Sequence, residues 1–275
     1  MILRLFTRLF FVGSLIASMM LVASLPAWSG SKQVLSFAFS NGSPPYSYES
    51  NNKCRGVMYD LLHFVLEDEL NYSLECTPLP WKRAQSMVRH NRMDGLATYP
   101  SKSRKQYAYF SSEPIFKQDF GYLVYNKSKP GIARINQVQN YADLSNFKFV
   151  GVIGVGWEKD NIPPEIAREL APTMKIAFNL LLKRQIGDFM VINPGQANVM
   201  ASTYGFDSTQ LGFARAEFIS NSVVSYHVGL QKQLPDAEMI IGEIDSVLRS
   251  ASFQAKSDQL MKAYNLAPRN SATVP

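Results

Sequence analysis

Short apolar runs alternate along this chain with longer segments whose apolar positions recur every three to four residues. Residues 33–39 are short and aromatic-rich and end at Asn41-Gly42-Ser43-Pro44-Pro45, so they predict a buried strand that enters a tight loop. From Gly56 to Asn71 the period changes. Val57, Asp60, Leu61, Phe64, Val65 and Leu66 share helical spacing, and Asn71 closes the segment as a C-terminal cap. A strand over 72–77, a helix over 81–91 and a strand over 95–99 follow, and this βαβ alternation favours a parallel sheet.

A further apolar strand spans 119–125 and is followed by a polar stretch at 126–131, where the composition breaks and a lobe boundary is expected. The alternation then restarts with a strand over 147–153, helical segments over 165–170 and 173–186, a strand over 189–192 and a helix from about residue 196. Residues 222–230 are again strand-like. Two amphipathic helices, 236–249 and 253–264, end the pattern and need a sheet to cover. Two α/β lobes are therefore expected, one formed by 31–124 with 226–275 and the other by 125–225, with two crossing strands between them.

Composition narrows the function. With 46% hydrophobic residues and 18% charged, the chain can bury ordinary cores without metals or multiple disulfides. The formal charge is +6, but Arg4 and Arg8 lie in the first segment and the remaining cations are scattered, so no phosphate-tracking stripe for nucleic acid is present. Three histidines (His63, His90, His227) far apart, without paired-ligand spacing, give no metal motif. No G-x-S-x-G elbow nominates a nucleophile, and no catalytic residue or cofactor is expected. Gly151-Val152-Ile153-Gly154-Val155-Gly156 follows a strand but has Lys159 where a dinucleotide loop needs its third glycine. What remains is a Gly-rich strand end whose backbone N–H groups suit a carboxylate.

Residues 1–29 carry two arginines, an apolar run over 9–25 and then Pro26-Ala27-Trp28-Ser29, the pattern of a cleaved signal peptide that leads to the periplasm. Export makes disulfides possible, and Cys54 and Cys76 are expected to pair, tying the loop before the first helix to the strand after it. Two buried free thiols are the alternative.

Pro80-Trp81-Lys82-Arg83-Ala84, Asp94-Gly95-Leu96-Ala97, Ser101-Lys102-Ser103-Arg104 and Tyr109-Phe110-Ser111-Ser112-Glu113-Pro114, with Pro44-Pro45-Tyr46 near the start, form one ordered set. As a set they resemble the family 3, amino-acid-type extracellular solute-binding proteins of bacterial ABC transporters, over about residues 34–264. The resemblance implies a two-lobed type II periplasmic-binding-protein fold in the α/β class, each lobe a mostly parallel sheet flanked by helices, joined by two hinge strands. It also implies a monomer that binds a small polar, carboxylate-bearing solute and delivers it to an inner-membrane permease. The alternative is a sensing module that docks on a membrane receptor.

By the same resemblance Tyr46 and Trp81 cover the ligand, Arg104 holds its carboxylate as a bidentate pair, and Thr98 and Ser101 give hydroxyl contacts. In the second lobe, backbone N–H groups around Gly154 to Trp157, including Gly156 and Trp157, face the ligand. Asn193 occupies the place where many amino-acid binders carry an aspartate for the ligand ammonium. An amide cannot supply a charge-assisted bond to an ammonium, which points away from an ordinary α-amino acid and leaves a carboxylate or another polar group as the recognised feature.

Overall fold

The computed structural model of this protein describes residues 32–264 and Leu266. The expected signal segment, 1–29, lies outside the described residues. Two sheets organise the chain. In the first, β5 (Ser73–Leu79), β1 (Val34–Ser40) and β6 (Gly95–Thr98) run parallel, and β14 (Val223–Gln231) then pairs antiparallel with β6 and with β7 (Ala108–Phe110). The first half of β14 also pairs with β8 (Phe116–Asp119). In the second, β11 (Arg168–Ala171), β10 (Phe149–Val152) and β12 (Phe189–Val191) run parallel, and β9 (Tyr122–Asn126) lies antiparallel between β12 and β13 (Leu211–Arg215). A hairpin sheet of β2 (Gly42–Ser43), β3 (Ser47–Ser50) and β4 (Lys53–Arg55) follows β1.

β14 and β9 run against the parallel strands of their sheets because each follows a crossing between the sheets. The residues expected as one strand, 119–125, are divided between β8 and β9. Phe120 and Gly121 make the outward crossing, and the return runs beside it through Ala216 to Ser222, with Phe120 N–H donating to the Ser222 carbonyl and Ala216 N–H to the Gly121 carbonyl. The second sheet thus begins at Tyr122, ahead of the polar stretch at 126–131. Arg215, at the end of β13, forms an ion pair with Asp119, at the end of β8, across these crossings.

Helices cover both sheets. The first helix is α1 (Val57–His63), extended by a π-helical turn (Phe64–Glu69), and Asn71 ends it at φ 58° as the expected left-handed cap. α2 (Trp81–Arg89) follows β5, and α6 (Ala237–Leu248) and α7 (Ala251–Ala263) close the first lobe over a core that includes Phe37, Leu61, Ile240 and Phe253. α3 (Gly156–Asn161), α4 (Met174–Phe178) and α5 (Pro194–Thr203) surround the second core, with Phe149, Phe178 and Phe189 at its centre.

The segment 165–170 is the clear departure from expectation, since its second half enters strand β11 and none of it is helix. Pro163 and Pro164 before it and Pro172 after it leave no room for a stable helix, and the free edge of β10 takes the segment up as a parallel strand. The expected disulfide is present. Cys54 on β4 is bonded to Cys76 on β5, with Cα atoms 6.2 Å apart, so it ties the hairpin before α1 to the edge strand after it. Among the described residues no helix is long and apolar enough to cross a membrane.

The disulfide closes a loop of sequence separation 22 around α1. Replacing both cysteines by serine is expected to lower stability by about 3 kcal/mol in urea unfolding, the loop-closure scale for that length, while the intact protein shows no titratable thiol. Equal unfolding midpoints would remove the bridge from the account of stability.

Candidate functional site

The carboxyl ends of β1, β6, β10 and β12 converge on one cavity of about 360 Å³, lined by residues of both lobes such as Phe39, Thr98, Val152 and Val191. The first-lobe wall is built on the loop after β1. Val57 and Met58 N–H groups at the start of α1 donate to the carbonyls of Pro45 and Tyr46, which fixes the loop over the helix. Gly56 makes this possible. It sits at φ 113°, and a Cβ there would stand 2.5 Å from the Tyr46 carbonyl oxygen. Tyr46 is thereby buried against Phe116, ring centroids 4.7 Å apart, and burial raises its hydroxyl pKa well above the ordinary range.

Arg104 is the most unusual residue of this wall. It is only 2% exposed, yet no carboxylate lies within ion-pairing distance among the described residues. Nε and Nη2 donate to Gln85 Oε1 at 3.1 and 3.0 Å, Nη1 donates to the Tyr99 carbonyl at 2.8 Å, and Nη2 donates to the Gly154 carbonyl at 3.0 Å. One of the five N–H groups of a guanidinium is left over. The Trp81 ring stacks 5.1 Å from the guanidinium carbon, and burial lowers the arginine pKa.

Gly154 belongs to the second lobe, so this is a contact between lobes. Trp81 Nε1 donates to the same carbonyl at 3.1 Å and Gln85 Nε2 at 3.3 Å. Gly154 itself is at φ 90°, a conformation that turns the strand end toward the first lobe. Where N–H groups were expected, Gly154 presents its carbonyl to three first-lobe donors. On the far side of the cavity the Tyr204 hydroxyl donates to the Gly42 carbonyl, a second bond between lobes, and burial pushes the Tyr204 pKa up to about 12.

Of the residues expected from sequence, Tyr46, Trp81, Thr98, Arg104, Gly156 and Trp157 line the cavity together. Gly156 packs against Arg104, where a Cβ would stand 2.9 Å from Nη1. Trp157 is 2% exposed, donates from Nε1 to the Asn221 carbonyl at 2.9 Å and packs edge-on against Phe120, so it forms the cavity floor rather than a free stacking face. Ser101 and Asn193 stand apart from the lining. Ser101 is buried beside Ser103, hydroxyl oxygens 3.1 Å apart, and Asn193 caps α5 by accepting from the Gly195 and Gln196 N–H groups.

Sequence reasoning missed Gln118, Glu158, Gln196, Tyr204 and Tyr226, all of which line the cavity. Gln118 on β8 donates an amide hydrogen bond to Gln196 on α5, and both are buried. Glu158 is buried in the second-lobe wall, its Oε2 accepting from Val152 N–H at 3.0 Å. Burial pushes its carboxyl up to about 8, against the opposing pull of the Val152 N–H and of Arg168. The cavity is thus mostly aromatic and aliphatic, with amides, two basic residues (Arg104 and Lys175) and one acidic residue (Glu158) at its walls, the composition of a small-molecule site.

Comparison with known proteins bears out the two-lobed fold. The family model for bacterial extracellular solute-binding proteins, family 3, matches residues 35–270. Among solved structures, the substrate-binding protein of an amino acid ABC transporter superposes with TM-score 0.66 at 16% identity, covering 84% of this chain and 98% of that one. An ancestral arginine-binding protein bound to arginine gives TM-score 0.66 at 16% identity, with 85% and 98% covered. Holo ArgBP from T. maritima gives 0.62 at 19% identity, with 84% and 96% covered. Curated sequences yield no significant match.

Glu158 makes stability depend on pH. Folding raises its carboxyl from 4.5 to about 8, so the folded chain holds a proton that the unfolded chain has lost between those values. Its contribution is complete below the unfolded value and is lost as pH rises through the folded one. The unfolding free energy of the ligand-free protein is expected to fall from pH 5 to 8, and Glu158→Gln to remove that fall, with a gain at pH 8 on the order of 2 kcal/mol. Parallel urea-unfolding profiles of the two proteins would contradict the assignment.

Proposed function

Because the chain belongs to the bacterial extracellular solute-binding proteins of family 3, we propose that it captures a small polar, carboxylate-bearing solute in the periplasm and delivers it to an ABC-type permease. The observation that carries this reading is Arg104, a buried cation on the wall of the cavity between the lobes, paired with carbonyl and amide oxygens but with no carboxylate among the described residues. A buried charge is costly until an opposite charge reaches it. A solute anion supplies that charge, either at the remaining N–H of Arg104 or by taking over from Gln85.

The mechanism follows from the two walls. Tyr46 and Trp81 come from the first lobe, Trp157 and Gln196 from the second, and Gln118 lies where the first sheet meets the crossings. A solute that touches both walls gains contacts only when the lobes meet, so its binding favours the closed form through differential affinity. Phe120-Gly121 and the return segment 216–222 are the segments we assign as the hinge, since the two sheets are joined there by single passes of chain. The Arg104, Trp81 and Gln85 bonds to Gly154 then read the closed state. The protein acts in this account as a monomeric binder and not as an enzyme, in keeping with its family.

A thermal-shift screen of mature protein against amino acids, amines, mono- and dicarboxylates, short peptides and sugars tests the reading, because a ligand at 100 times its Kd adds about 2.7 kcal/mol. One carboxylate-bearing class is expected to stabilise the protein. Arg104→Ala is expected to weaken that ligand by at least about 2 kcal/mol in calorimetry, the scale of a lost buried charged partner. Unchanged affinity would remove Arg104 from the site.

A further inference from the structure

Solute capture at Arg104 leaves one carboxyl of the cavity unused. Glu158 lies in the first turn of α3 and is the single acidic residue of the lining among the described residues. Its placement is built by the strand beneath it. Val152 N–H holds Oε2, and Gly151 leaves the space, since a Cβ at that position would stand 2.6 Å from Oε2. Oε1 has no hydrogen-bond partner among the described residues.

The surroundings of this carboxyl contain little that could neutralise it. Arg168 on β11 acts on it only through space, and Tyr226 on β14 approaches it from the first lobe. Arg104 and Lys175 line the same cavity, and neither is within ion-pairing distance of it. A carboxylate enclosed in this way is expensive, so the group holds its proton while the cavity lacks a cation. A positive nitrogen brought to Oε1 reverses that balance.

We propose that Glu158 is the specificity-determining residue of the second-lobe wall, receiving a cationic nitrogen of the solute and releasing its own proton to solvent as it does so. The inference rests on the solute-capture reading and narrows it. With the charge of Arg104 on the first-lobe wall, the preferred solute carries an anionic group and an ammonium or guanidinium group together. The carboxyl missing at Asn193, whose amide is spent on capping α5, is supplied from α3. In the exchange the solute keeps its N–H hydrogens, Oε1 accepts one of them, and the carboxyl O–H proton passes to the buffer.

The test is isothermal calorimetry of the mature protein with L-arginine, L-lysine, L-glutamine and succinate at pH 6, 7 and 8, in phosphate and in Tris. At least one of the three amino acids is expected to bind more tightly than succinate. Its affinity is expected to rise about tenfold from pH 6 to 7 and about fivefold more to pH 8, with close to one proton released per solute at pH 7, as the difference between the buffers reports. Glu158→Gln is expected to abolish both the pH dependence and the release. The proton count on the unaltered protein stands even if that variant folds poorly. Should the broader screen find another solute with a cationic nitrogen, it replaces the amino acid in the same titration with the same expected result. Binding without pH dependence or proton release, or a best ligand that has no cationic nitrogen, overturns this role for Glu158 and leaves solute capture standing. Binding of nothing in either experiment overturns both.

Discussion

The carbonyl oxygen of Gly154 is the point on which the closed arrangement turns. Three first-lobe donors, Arg104 Nη2, Trp81 Nε1 and Gln85 Nε2, converge on it from 3.0 to 3.3 Å. A buried guanidinium can be tolerated only when its N–H groups are satisfied, and one of the acceptors that satisfy Arg104 belongs to the other lobe. Separating the lobes would strip that acceptor from the arginine and from the indole together. The same knot therefore sets the cavity wall, orients Trp81 over the guanidinium and links the state of the cleft to the state of the binding residue.

Charge inside the cavity follows a consistent logic. Among the described residues Arg104 is buried without a carboxylate in ion-pairing distance and Glu158 without a cation, and they stand on walls contributed by different lobes. Neither compensates the other directly. Arg104 carries a desolvation cost that an anion would reduce, and Glu158 avoids its own by holding a proton until a cation reaches it, so on the proposed reading a zwitterionic solute gives the arginine its counter-charge and turns the neutral carboxyl into a second pair. Around them the lining is largely aromatic and aliphatic, with Tyr46, Trp81, Met190 and Ile192 among it, and such a lining strengthens the electrostatic contribution.

Much of the fold was legible because the local signals agreed with the tertiary structure. The apolar run at Phe149–Val152, the helical spacing from Val57 and the cap at Asn71 all appear where pattern and turn chemistry place them. Arg168–Ala171 was not legible, since an edge strand takes its form from the neighbour it pairs with, and Arg-Glu-Leu-Ala reads locally as helix. The first-lobe part of the site was carried by compact motifs around Trp81 and Arg104. Gln118 and Gln196 are 78 residues apart and marked by nothing local, and Glu158 sits in a charged run, Glu158-Lys159-Asp160, that reads as solvated. Asn193 shows the converse: a residue at the expected place in the chain whose side chain is committed to a helix terminus.

The account's central claim is that an anionic solute lies between the two lobes under the charge of Arg104. A crystal structure of the mature protein with the solute that stabilises it most would test this directly. The account predicts closed lobes with Gly154 still at Arg104, and the solute's anionic group within hydrogen-bonding distance of the guanidinium. A solute bound outside the cavity, or bound within it with no anionic group near Arg104, would contradict it.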